Sequence, residues 1–175
     1  MLWLKFFSKL IKILNEGATP GQIAGGIALG AVVGLMPSFL INLFLVFLIL
    51  IIDVNLSAAF FSIAVFKILA YPLDPLANSI GYELLVNAGR LKPLWTALYN
   101  MPAVPFTRFN NTVVLGSFII SLVLFLPLFF LSARGVRLYR EKFRQRVMES
   151  KLYKFVKLSG IYQFYAKARD FNFMK

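Results

Sequence analysis

The sequence predicts an all-α integral membrane protein with two to four membrane-embedded helices, including a glycine-rich pair that is broken or re-entrant, and an amphipathic interfacial helix at each end. Three observations lead there. Ile23 to Ile52 is a run of 30 residues without a charge. Thr112 to Ala133 is a second uncharged run, of 22 residues, followed at once by Arg134 and Arg137. Across the chain 59% of residues are hydrophobic and 15% charged, with a mean hydropathy of +0.76, outside the range of soluble domains.

The first 17 residues read as an interfacial helix. Lys5, Lys9 and Lys12 share one helical face with Ser8, Asn15 and Glu16, and Leu2, Trp3, Phe6, Phe7 and Leu10 fill the other, the pattern of a helix lying in the headgroup plane. The lysines interrupt any signal-peptide core. Gly17 ends this element, and Thr19 followed by Pro20 is a helix start, as N-cap and first helical residue.

A bilayer core about 30 Å thick is crossed by about 20 apolar residues, so the 30-residue block is too long for one straight span and too short for two. Gly26, Gly30 and Gly34 recur through its first half at four-residue spacing and, with Ala24, Ala28 and Ala31, strip bulk from the helix so that another backbone can come close. Pro37 disfavours helix at Met36 and removes a donor. The block is therefore either one long kinked span or two half-helices forming a re-entrant hairpin, with Ser38 and Asn42 beside the break.

Asp53, Val54 and Asn55 make a polar connection to a 16-residue apolar stretch, Leu56 to Tyr71, which Pro72 and Pro75 are expected to end. Lys67 then lies close to a helix end, where it either snorkels to an interface or faces a phosphate, a carboxylate or Asp53. Residues 73–111 are mixed and suit interfacial helices, with Trp95 and Tyr99 one turn apart as an aromatic anchor. Thr112 to Ala133 is the clearest span. A faint internal echo sets Gly26 and Pro37 against Gly116 and Pro127 at the same separation.

Domains follow as an N-terminal helix (1–17), a membrane domain (18–135) and a basic amphipathic tail (136–175). From Arg134 to the end there are twelve basic and three acidic residues. Both termini are therefore expected in the cytoplasm, which requires an even number of crossings and makes one apolar block re-entrant. Lys5, Lys9, Lys12, Arg134, Arg137, Arg140, Arg144, Lys151 and Lys154 are the expected contacts to anionic headgroups. Lipid accounts for this basic, aromatic tail better than nucleic acid does, because the tail leaves a span beside an anionic leaflet.

Chemistry is sparse. The chain has no histidine and no cysteine, which removes the commonest general base and metal ligands. Its seven carboxylates are scattered. No enzyme, cofactor or metal is expected.

The run Pro20-Gly21-Gln22-Ile23-Ala24, Ala28-Leu29-Gly30, Gly34 and Pro37, then Asn55, Pro72, Pro75 and Gly81-Tyr82-Glu83-Leu84-Leu85, resembles a family of uncharacterised bacterial inner-membrane proteins defined by a domain of unknown function. The likeness covers about residues 18 to 135 and implies a multi-pass protein of the bacterial cytoplasmic membrane without an established activity. Ser38-Phe39-Leu40-Ile41 departs from the more polar turn expected after Pro37. The expected function is a non-enzymatic membrane-embedded subunit or scaffold of an envelope complex, lipid-associated or engaged in lipid handling. Its partners are membrane lipids and another envelope membrane protein or a second copy. A small secondary transporter or channel with its site at the break near Pro37 is the alternative. Gly26, Gly30, Gly34, Pro37, Ser38, Asn42, Asp53 and Lys67 are the residues expected to pack helices or line a substrate path.

Overall fold

Local capping and backbone contact build the helices in order. The structure, a computed structural model, describes residues 13–14 and 17–143, and among these no strand occurs. Five α-helices follow Thr19: α1 (Pro20–Leu35), α2 (Phe39–Ile51), α3 (Leu56–Tyr82), α4 (Lys92–Tyr99) and α5 (Thr112–Leu138). The predicted N-terminal helix, save Ile13 and Leu14, and the tail beyond Phe143 lie outside the described residues.

Helix α1 starts as the sequence predicts. Thr19 Oγ1 accepts the Gln22 N–H at 3.2 Å, and the Gln22 side-chain oxygen accepts the Thr19 N–H at 2.7 Å, a reciprocal capping box behind Pro20. The helix stops at Leu35, because Met36 is extended ahead of Pro37. The 30-residue block is thus two helices, not one kinked span.

The chain then turns back. The end of α2 delivers Asp53 to the start of α1, where its Oδ2 accepts from Gln22 Nε2 at 2.8 Å, and the Asn55 N–H donates to the Gln22 carbonyl at 3.0 Å. Asn55 caps α3 by accepting the Ala58 N–H. Helices α1 and α2 are therefore a hairpin, and α3 runs parallel to α1. A Cβ at Gly26 would meet the Asn55 carbonyl oxygen, one at Gly30 the Ala59 carbonyl oxygen, and one at Gly34 the Phe66 Cβ and Ile63 carbonyl oxygen. The three glycines form the seam of α1 on α3 along its full length.

Helix α3 corrects the sequence reading. It does not end at Tyr71 but continues through Pro72 and Pro75 to Tyr82. The two prolines forfeit the donors to the Ile68 and Tyr71 carbonyls, yet the helix continues past both. The second half is also clamped. A Cβ at Gly81 would strike the Thr112 carbonyl, one at Gly116 the Ala77 carbonyl, and Thr112 Oγ1 donates to Asn78 Oδ1. Helix α5 thus descends antiparallel to α3. The echo between Pro37 and Pro127 does not extend to structure, because α5 runs unbroken through Pro127. Between the long helices, Trp95 Nε1 donates to the Leu84 carbonyl at 2.9 Å and the Trp95 ring lies 6.2 Å from that of Phe109.

Gly30→Val is expected to cost about 3 kcal/mol, the upper range for overpacking, because the Ala59 backbone cannot yield. Gly89→Ala, where a Cβ meets nothing within 4 Å, should be neutral. Thermal unfolding of the detergent-solubilised variants reads the difference, and equal melting temperatures would exclude the seam.

Candidate functional site

The break between α1 and α2 gathers polar groups from distant parts of the chain. Ser38, at the head of α2, is 1% exposed, and its Oγ donates to the Thr107 carbonyl at 2.8 Å instead of capping its own helix. Thr107 belongs to a 3-10 turn, Val104–Thr107, whose first two carbonyls accept from the Thr107 hydroxyl (at Val104) and from the N–H of Arg108, a residue in the left-handed conformation (at Pro105). Asn42, one turn into α2, donates from Nδ2 to the Met36 carbonyl at 2.8 Å. Its Oδ1 is buried and has no hydrogen-bond partner among the described residues. The break is held by side chains facing each other across a gap in the helix, leaving one acceptor unsatisfied.

From this corner an apolar groove of about 620 Å³ runs along α2, lined by Leu40, Ile41, Leu43, Phe44, Phe47 and, at its polar end, Thr107. A second, smaller cleft of about 260 Å³ lies under Trp95, Tyr99 and Phe109.

The predicted site residues separate into groups. Ser38 and Asn42 meet at the break after Pro37. Gly26, Gly30 and Gly34 face α3 and pack, so they line no path. Asp53 lies at the opposite end of the hairpin, engaged by Gln22. Lys67 cannot face Asp53, because Asp53 is bonded to Gln22 whereas Lys67 lies level with Gly34, twelve residues or about 18 Å further along α1. Nor is Lys67 close to a helix end. It is the twelfth residue of a 27-residue helix, exposed, level with the last turn of α1 where its N–H lies beside Gly34. Asp53 precedes α3, Asp74 lies within it and Glu83 follows its last residue, so the three do not converge, and among the described residues no group of His, Cys, Asp or Glu could hold a metal. Of the basic residues, Arg134 and Arg137 are exposed, and Arg140 Nε donates to the Leu14 carbonyl at 3.1 Å. Lys5, Lys9, Lys12, Arg144, Lys151 and Lys154 lie outside the described residues.

Two participants were missed from sequence. Gln22 joins α1, Asp53 and α3, and the Thr-x-x-Gln spacing of a capping box was the available signal. Thr107 carries no local signal, because its role is set by a contact 69 residues away.

The profile of a bacterial family, described as an uncharacterized protein conserved in bacteria (DUF2062), matches residues 4–145. The chain belongs to the DUF2062 family. A relative from Treponema pallidum (strain Nichols), named only as an uncharacterized protein, is 28% identical over 132 residues, covering 75% of this chain and 81% of its own. No solved structure matches. Pro20, Gly21, Gln22, Pro37 and Gly81, the residues that carried the family resemblance, are a capping box, a helix break and a helix contact in this DUF2062 structure.

Gln22→Leu removes the donor to Asp53 and the side-chain acceptor of the Thr19 N–H, while its backbone N–H still donates to Thr19 Oγ1. A loss of about 1 to 2 kcal/mol is expected for these partly exposed bonds, read as a lower melting temperature, whereas an unchanged value would mean that the junction adds nothing.

Proposed function

We propose that the protein is a non-enzymatic, lipid-associated component of the bacterial inner membrane, a subunit or scaffold in lipid handling. In this reading α3 and α5 cross the bilayer, and the α1–α2 hairpin enters and leaves on the cytoplasmic side. Two helices, at 56–87 and 112–142 with their flanking turns, are long and apolar enough to cross. Helices α1 and α2, of 16 and 13 residues, fall short of the roughly 20 needed. Both ends of the hairpin meet at the Gln22–Asp53 junction, which supports a re-entrant path and an even number of crossings, with the basic termini inside.

The observation that carries the reading is the outward face of α2. Phe39 is 82% exposed, and Leu43, Phe44, Phe47, Leu50 and Ile51 are more than half exposed. A continuous apolar face of this kind calls for acyl chains or an apolar partner, and the groove along it ends at a polar corner, the order of chemistries in a lipid.

Glutamate at both Phe44 and Phe47 is expected to strip co-purifying lipid or partner protein from the full chain in nanodiscs, while the chain stays in the alkali-resistant membrane fraction. Mass spectrometry after a high-salt wash reads the loss. Retention of every co-purifying species by the double variant would defeat the reading.

One observation favours a second reading, a small secondary transporter or channel using the break. Asn42 Oδ1 is a buried acceptor awaiting a donor or cation. Asn42→Leu separates the two readings, since it should leave lipid and partner retention unchanged in a scaffold but abolish substrate flux into proteoliposomes in a transporter.

A further inference from the structure

The register of α3 against α5 sets two opposite charges at the middle of the uncharged run of α5. Gly81 meets Thr112 and Ala77 meets Gly116, so along these antiparallel helices Lys67 stands level with Leu126, Tyr71 with Leu122 and Asp74 with Ile119. The uncharged run from Thr112 to Ala133 is centred between Leu122 and Val123. Lys67 is therefore about 5 Å to the entrance side of that centre, and Asp74 about 5 Å beyond it. Lys67 and Tyr71 are exposed, Asp74 is half-buried, and among the described residues neither Lys67 nor Asp74 forms an ion pair. Neither charge can leave an apolar layer from there. The edge of a core about 30 Å thick lies about 10 Å from Lys67, beyond its four-carbon stem, and Asp74 has a single methylene.

The two charges also belong to a seam. Phe60, Ala64, Lys67, Tyr71 and Asp74 follow one another at spacings of four, three, four and three, the heptad pattern that lines one side of a helix and receives a second helix. All but Asp74 are exposed. Helix α1 takes the neighbouring side of α3, at Ala59 and Ile63, and α5 takes Ala77 and Gly81.

We propose that this seam seats a membrane-crossing helix of a second protein that carries an acidic and a basic residue one heptad apart, the carboxylate level with Lys67 and the base level with Asp74. The proposal rests on the reading of α3 and α5 as bilayer-crossing helices and gives the subunit reading its partner. Charge complementarity decides the occupant. Acyl chains offer neither a charge nor a hydrogen bond, and ionisable side chains at this depth are costly unless they are paired. The partner's acid and base make two ion pairs about two helical turns apart, and the Tyr71 hydroxyl between them can donate to one or accept from the other. A second copy of this chain does not match. The excess of basic residues at the ends gives every copy the same orientation, and two parallel seams would oppose Lys67 to Lys67 and Asp74 to Asp74.

The test places the full chain in proteoliposomes with synthetic membrane-crossing peptides, a leucine-alanine host bearing two residues one heptad apart at its middle. The chain has no cysteine, so Gly89→Cys, where a Cβ meets nothing within 4 Å, carries the single fluorophore, and energy transfer to a labelled peptide reads association. The Glu/Lys peptide is expected to bind about tenfold more tightly than Glu/Glu, Lys/Lys or Gln/Gln peptides, the worth of a polar contact between helices in lipid. Lys67→Glu should move the preference to Lys/Lys, and Asp74→Lys should move it to Glu/Glu, an exchange that a merely structural role would not produce. Equal binding of the four peptides overturns the seam without need of either reversal. So does a Glu/Lys preference that survives both reversals, or self-association of the chain that Lys67→Glu abolishes. A nitroxide on Lys67→Cys separates this failure from failure of the membrane reading. Collision with oxygen in preference to a water-soluble nickel chelate leaves the bilayer crossing standing when the peptides do not discriminate, whereas collision with the chelate overturns both.

Discussion

The structure depends on one constraint, the approach of two parallel helix backbones at a distance only glycine permits. Gly26, Gly30 and Gly34 bring α1 against the Asn55, Ala59 and Ile63 carbonyls of α3. Apolar side chains gain little by leaving lipid for protein, so close backbone packing is the main source of helix association in a bilayer. Parallel neighbours in sequence require a return path between them. Helix α2 is that path, and its 13 residues cover about 20 Å, close to the length of α1. The consequence is visible in burial: ten of the sixteen residues of α1 are buried, but in α2 only Ile49 is. The apolar outer face of α2, on which the functional proposal stands, is a by-product of the glycine seam.

Parallel packing has an electrostatic cost, because it places two positively polarised N-termini side by side. The chain meets it at the Gln22 junction. Asp53 stands two residues before the α3 cap and accepts a hydrogen bond from the first turn of α1, which puts one carboxylate near both N-termini. Gln22 meanwhile caps α1 and receives the Asn55 N–H. This junction fixes the register at which the glycines meet α3, since a slip of one residue would replace Gly30 opposite Ala59 with Leu29 or Ala31.

Much of this was legible in the sequence. The helical class, the start of α1 at Thr19 and Pro20, the break before Pro37 and the packing role of the glycine repeat follow from residue types whose local effects are strong. Membership of an uncharacterised bacterial family was legible too, from the same punctuation. What could not be read was tertiary. Thr107 reaches Ser38 through a contact no local pattern encodes, and Gly81 and Gly116 sit in unlike surroundings that give no hint of a shared seam. Lys67 was misplaced for the same reason. Its position relative to a helix end depended on whether Pro72 ends the helix, and packing beyond Pro75 decided that.

The prolines show why. Pro37, Pro72, Pro75 and Pro127 all lack the same hydrogen, but only Pro37 accompanies a break. At Pro37 the groups exposed by breaking have partners close by: Asn42 Nδ2 bonds the Met36 carbonyl, the Asn42 N–H bonds the Ser38 carbonyl, and the Ser38 hydroxyl bonds Thr107. Around Pro72 and Pro75 no such set is at hand, and the downstream half of α3 is already committed to α5 through Ala77 and Gly81. The helix holds, although Pro72 and Pro75 have no N–H to give to the Ile68 and Tyr71 carbonyls. Whether a proline ends a helix is therefore set by what can satisfy the backbone after it.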